Sequence, residues 1–444
     1  MTLGRPSRRS RWALDGMNRE NCPAFRSAGP TSALFAAALA LLVFGCSRSP
    51  PPAAPGPTRF GQIDEARIVA ADREPDQWLT GGRDGGGTYF SPLAEINERN
   101  IARLGFAWQF ALGTTRGLEA TPIVVDGVMY TSGNWGRVYA LDAATGRELW
   151  SYDPGVDGQY GRHAPSDVVN RGVAVSGGRV YVGALDGYLH SIDARTGARL
   201  WKVDTFPERG PKAFPYVITG APLLAGNLVV IGSGGGDMGS ARGFLSAFDS
   251  KTGTFRWRFY SVPRDPRLGP QEPHLERALK TWDKHYDWKV GGGGSMWDGL
   301  AYDPGLKLIY AGTGNATPYK VVDVSHGTGN DMLYTASIVA VRAESGELAW
   351  HYQAVNGDAW DFDSAQKMIL TDLTLDGKSR QVVMQASKNG FFYVLDRATG
   401  AFLSGTPFAE VTWTKGLDPV THRPVPTDAA DWTREPKLRG GFGI

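Results

Sequence analysis

Trp360-Asp361-Phe362-Asp363 places two carboxylates two residues apart. On an extended segment, residues i and i+2 face the same way, so both acids can converge on one hard cation. A lone D-x-D pair is more often a pair of solvated loop acids. This one shares its chain with Gly312-Thr313-Gly314-Asn315, with the run Gly291-Gly292-Gly293-Gly294-Ser295-Met296-Trp297, and with Lys388-Asn389-Gly390. Their ordered company gives the pair its weight.

The elements that must position these residues are announced by an internal repeat. Four copies begin at Ala140 (ALDAATGRELW), Ser191 (SIDARTGARLW), Ala247 (AFDSKTGTFRW) and Ala340 (AVRAESGELAW), and a weaker fifth begins at Val394. Each reads as strand, Asp-x-x-Thr-Gly turn, strand, with the turn side chains supplying local hydrogen bonds and glycine a positive-φ position. The terminal tryptophan is large and flat enough to wedge between neighbouring sheets. Starts at 140, 191, 247, 340 and 394 give steps of 51, 56, 93 and 54. The long step is expected to hide one extra strand set plus an insertion, with a short helix around residues 273–282. Periods near 50 with short β-branched strands predict an all-β fold, a β-propeller of four-stranded blades. The 58 glycines and 14 tryptophans suit its turns and its blade-to-blade packing.

The ends and the composition bound the rest. Basic residues, an apolar run over 33–44 and then Gly45-Cys46 read as an export signal over 1–46. Val43-Phe44-Gly45-Cys46 looks like a bacterial lipobox, which makes Cys46 the expected lipidated residue and the periplasmic side of a membrane the expected location; an ordinary signal peptide or uncleaved anchor is the alternative. Residues 47–57 are too proline-rich to fold and suit a tether, so the propeller is expected over 58–444. Cys22 and Cys46 are the two cysteines. One leaves with the signal and the other carries lipid, so no disulfide is expected, and no Cys-x-x-Cys-His is present to attach haem. A net charge of +2 without basic blocks argues against nucleic acid.

The order of these motifs, from about Trp78 to Thr433, resembles the pyrroloquinoline quinone (PQQ) dehydrogenases. The resemblance implies that PQQ lies flat on Trp297, and that Glu119, Arg171, Thr219, Ser295 and Lys388 contact it. It implies a metal held by Asp237, Asn315 and Asp361, with Asp361 also the catalytic base. Pro165-Ser166 stand where the family usually has an adjacent cysteine pair. Lanthanide-dependent members resemble this chain in the second acid, Asp363; three carboxylates suit a trivalent ion, and calcium is the alternative. The implied activity is oxidation of a primary alcohol to an aldehyde by hydride transfer to PQQ, with electrons passed to a cytochrome c.

The family closes eight blades, whereas residues 58–444 supply about six at the observed period, so a second polypeptide is a possible completing partner. Two rivals stand beside the enzyme. One is a non-enzymatic propeller lipoprotein of the outer-membrane assembly type, and the other is an inactive, truncated remnant.

Overall fold

The computed structural model describes residues 56–162, 164–207, 216–236, 239–283, 286–289, 292–317 and 331–430. The signal, Cys46, the tether as far as residue 55, and Asp237 lie outside these residues. Among the described residues no helix is long and apolar enough to cross a membrane.

The described residues fold into five four-stranded antiparallel sheets, each an up-and-down meander of strands in chain order. The first comprises Ile123–Val125, Val128–Ser132, Val138–Asp142 and Glu148–Tyr152; the second Ala174–Ser176, Arg179–Gly183, Tyr188–Asp193 and Arg199–Asp204; the third Leu223–Ala225, Leu228–Gly232, Phe244–Asp249 and Phe255–Tyr260. The fourth is Ala301–Asp303, Leu308–Gly312, Ser337–Arg342 and Leu348–Gln353, and the fifth Ile369–Leu375, Lys378–Ala386, Phe391–Asp396 and Phe402–Pro407. A two-stranded ribbon, Thr414–Leu417 with Pro424–Pro426, follows.

Every copy of the repeat is the turn between the third and fourth strands of one sheet. Asp249 Oδ1 shows how the turn closes: it accepts from the backbone N–H of Lys251 (3.1 Å) and Thr252 (2.9 Å) and from the Thr252 hydroxyl (3.0 Å). A one-residue register shift recurs beside it at the same repeat position in all five sheets, between Ala247 and Phe248 in the third. Such bulges increase local twist.

The tryptophans join neighbouring sheets. Trp257 of the third sheet lies on Gly346 in the turn of the fourth, where an added Cβ would stand 2.6 Å from the indole, and its Nε1–H donates to Ala343 O at 2.8 Å. Trp350 repeats the contact on Gly400 of the fifth sheet and Trp150 on Gly197 of the second. Only glycine lets an indole lie this close to the turn. Trp108, which precedes the first sheet, makes the same contact with Gly146 and donates to Ala143 O at 3.1 Å. Apolar cores fill each sheet-to-sheet space, as between the third and fourth where Leu245, Trp257, Ile309 and Val339 are buried together.

The 93-residue step departs from expectation. Among the described residues it holds no extra four-strand set: it is one sheet with two insertions, carrying the helix Pro273–Leu279 and the two-residue pairing of Gly292–Gly293 with Ala316–Thr317. Dividing length by period counts inserted loops as strands; the described residues form five full four-stranded sheets and a ribbon.

Candidate active site

The first strand of each sheet begins, and the second ends, at the same edge of an antiparallel hairpin. Glu119, Arg171, Thr219, Ser295, Trp297, Asp361 and Asp363 all lie in segments leading into first strands, while Asn315 and Lys388 follow the ends of second strands. First strands of the second to fifth sheets touch in succession. Topology therefore brings residues separated by more than 250 positions to one end of the sheets, beside their first strands.

Two constellations result. In one, Arg171 Nη2 pairs with Glu119 Oε2 at 3.0 Å, Nη1 donates to the Thr219 hydroxyl at 2.5 Å, and the guanidinium lies over the Trp297 ring, 4.8 Å from its centroid. The Arg171 backbone is fixed as well, its N–H bonding Thr219 O at 2.9 Å. Asn170 holds the preceding turn: its Oδ1 accepts from the Ser132 hydroxyl (2.6 Å) and its Nδ2 donates to Gly183 O (2.8 Å). Arg171 is thus a largely buried cation presented beside an aromatic face, an arrangement that grips a planar anion well.

In the other, the Lys388 ammonium lies 3.3 Å from Asp361 Oδ2, both side chains about half exposed. Asp363 is buried, and its Oδ1 accepts the Asn315 backbone N–H at 2.8 Å. Asn315 Nδ2 donates to Ala316 O at 2.7 Å, which turns the amide oxygen away from that carbonyl. Ser295 is fully buried; its Oγ accepts the Gly236 N–H at 2.8 Å and its carbonyl the Gly314 N–H at 2.8 Å, so it ties the glycine turn before Asp237 to the Asn315 strand end. Pro165 and Ser166 sit in a turn, followed by Asp167 at φ 58°, which pairs with Arg116.

The acid pair is not on a strand. Asp361 and Asp363 adopt φ of 59° and 55°, left-handed conformations in a segment without regular structure, so the extended two-residue register expected above is corrected. The cause is Asp358, a fully buried carboxylate that sequence reasoning missed. Its Oδ1 accepts the Trp360 N–H at 2.9 Å, and its Oδ2 accepts the N–H groups of Phe362 (2.8 Å) and Asp363 (3.2 Å). Three charge-assisted bonds at about 1.5–3 kcal/mol each outweigh two left-handed residues at about 1–2 kcal/mol each. Burial raises the Asp358 carboxyl to about 6 against the opposing pull of these amides. The legible signal was a third acid three residues ahead of the pair.

Among the described residues no three His, Cys, Asp or Glu side chains cluster for a metal; the expected third carboxylate, Asp237, lies outside them. What is described still fits a hard ion, since Asp361, Asp363 and Asn315 offer only oxygen donors. A planar, anionic quinone likewise fits the cations Arg171 and Lys388, the hydroxyl of Thr219 and the indole of Trp297.

Comparison with known proteins agrees. Residues 78–430 match the PQQ family described as glucose/ethanol/alcohol dehydrogenase, beta-propeller domain. Quinohemoprotein alcohol dehydrogenase ADH IIB of Pseudomonas putida is 50% identical over 374 residues, 84% of this chain and 53% of that protein. The solved structure of quinohemoprotein alcohol dehydrogenase ADHIIG from Pseudomonas putida HK5 superposes with TM-score 0.81 at 49% identity, covering 85% of this chain and 55% of that one. A europium-containing methanol dehydrogenase gives TM-score 0.73 at 35% identity, covering 82% and 63%. The chain spans about half the length of the curated relatives it matches. It belongs to the PQQ-dependent alcohol dehydrogenase family, as a β-propeller domain of that family.

Proposed function

We propose that this propeller oxidises a primary alcohol to an aldehyde using PQQ and a bound metal ion. The observation that carries the reading is the convergence, at one end of the sheets, of the Arg171–Glu119–Thr219–Trp297 group and the Asp361–Lys388 pair. When bound, PQQ supplies a hydride acceptor and the ion a Lewis acid. Arg171 and Thr219 would hold the cofactor's carboxylates and Trp297 its flat face, while Asn315, Asp361 and Asp363, with Asp237, would hold the ion. Asp361 is open enough to meet substrate and takes the proton of the alcohol hydroxyl. Lys388 fixes the direction of that carboxylate and offers positive charge where negative charge builds on the substrate oxygen.

A lanthanide is the ion we favour over calcium, because Asp363 adds a buried carboxylate beside Asn315. A cytochrome c as electron acceptor is supported by a 44% identical relative named 1-butanol dehydrogenase (cytochrome c) of Thauera butanivorans. Export to the periplasm with a lipid on Cys46 is supported by the apolar run and lipobox-like residues before it. Phe90, Ile96, Leu104 and Phe106 expose large apolar surface, which supports further propeller strands, from this polypeptide or a second one, as its cover. A protein-binding scaffold would need neither the Arg171 group nor Asp363.

The test is direct. Protein produced with PQQ and either lanthanum or calcium should bleach an artificial electron acceptor when given ethanol or 1-butanol. Protein that retains no quinone under these conditions would overturn the enzyme reading and leave the scaffold or the inactive remnant.

A further inference from the structure

We propose that Asp358 is a positioning residue for this site: its carboxylate gathers three backbone amides and so sets where the Asp361 and Asp363 carboxylates stand. The proposal rests on the ion-assisted reading above and adds to it a residue that touches no ligand. Asp358 is buried, and the only groups it serves are the N–H groups of Trp360, Phe362 and Asp363 among the hydrogen bonds described. Those amides surround Asp361, and both acids are held in left-handed conformations that non-glycine residues seldom adopt unaided.

The consequence reaches across two sheets. The amide of Asp363 is held by Asp358, and the carboxylate of Asp363 in turn holds the Asn315 backbone N–H at 2.8 Å, on the strand end of the fourth sheet. One residue on, Ser364 N–H reaches Thr313 O at 2.9 Å, closing a second tie to the same strand end. Asp358 therefore stands at the head of a short relay: it shapes the loop, the loop places Asp363, and Asp363 fixes the backbone of Asn315. A neutral or absent side chain at 358 releases two acids and an amide together, which a substitution at any single ligand would not do.

The experiment uses the full chain as wild type, Asp358→Ala and Asp358→Asn, with terbium(III) as the probe ion and no alcohol present. Thermal melts without ion establish that each variant is folded. Terbium luminescence titration should show affinity lowered about 10- to 100-fold by the alanine, the usual cost of removing a group that orients metal ligands, with the asparagine recovering part of the loss through its remaining oxygen. Amide hydrogen exchange gives the second reading: the N–H groups of Trp360, Phe362 and Asp363 should exchange faster in Asp358→Ala and to an intermediate degree in Asp358→Asn, while the strand Ser337–Arg342 stays unchanged. A folded alanine variant with wild-type terbium affinity overturns the proposal, as does unchanged exchange at those three amides. If the alanine variant does not fold, exchange and titration on the asparagine variant decide by the same criteria. A wild-type chain that takes up no terbium removes the ion reading, and exchange alone then decides whether Asp358 shapes the loop.

Discussion

The sheet-to-sheet contacts and the loop at 358–364 solve opposite problems. Between sheets, one device recurs: an indole laid on a glycine turn, closed by a tryptophan N–H to a carbonyl, as in Trp257 on Gly346 and Trp350 on Gly400. In the loop nothing recurs. A buried acid gathers the amides of a six-residue stretch, and the two left-handed acids carried there are the ones to which the proposed mechanism gives the ion and the proton. Repetition supplies stiffness cheaply because each contact only has to fill space, whereas a reacting group needs a position that periodic structure does not provide.

If this division holds, substitutions should separate cleanly into those that cost activity and those that cost stability. The largest effect is expected at Asp361: Asp361→Asn should lower turnover of alcohol with a dye acceptor by about a thousandfold or more with either ion, since base and ligand are lost together, while the thermal midpoint stays near wild type. Trp257→Ala should do the reverse, lowering the free energy of unfolding in urea by about 3–5 kcal/mol through the lost indole and the cavity left against Gly346. A Trp257→Ala protein of wild-type stability would break the comparison. Asp363→Ala should cut lanthanide-supported activity at least about tenfold more than calcium-supported activity, by withdrawing one negative charge from beside the ion. Equal losses with both ions would reduce Asp363 to a structural acid.

A smaller effect comes from the second sheet. His190 is fully buried, its Nδ1 2.8 Å from the Tyr152 hydroxyl, and burial, with Lys202 and Arg199 adding to it, depresses its pKa to about 3. The folded chain keeps this imidazole neutral while the unfolded chain protonates near 6.5, so its contribution is intact above that pH and is lost as pH falls toward 3. Wild-type stability should fall below pH 6.5 more steeply than that of His190→Gln, by up to about 1.4 kcal/mol per pH unit, read from urea midpoints at pH 7, 6 and 5.

The repeat made the sheets legible, because Thr-Gly turns and tryptophans recur at nearly fixed spacing and their roles are the ones the geometry needs. Arg171, Glu119, Thr219 and Trp297 were also legible, through motif order, and the structure brings them into contact. The 93-residue step misled because spacing cannot tell a strand from an inserted loop. The register of Asp361 and Asp363 misled for a related reason. Alternation presumes an extended backbone, and here a side chain three residues upstream, invisible to any periodicity, sets the backbone instead.

The tryptophan contact has a direction. Each of the first four sheets gives an indole from its fourth strand and every sheet receives one on its turn, so the two faces a sheet shows its neighbours are different surfaces. In the language of assemblies this is a head-to-tail, heterologous contact, which either returns to its starting point or continues without limit. The first sheet already receives an indole from Trp108, and the fifth copy carries Ser404 where the others carry tryptophan. Shuffling or duplicating units in this fold would thus preserve packing only where each inserted unit keeps both its giving and its receiving residue, which turns the repeat into a rule of grammar for how such chains can grow.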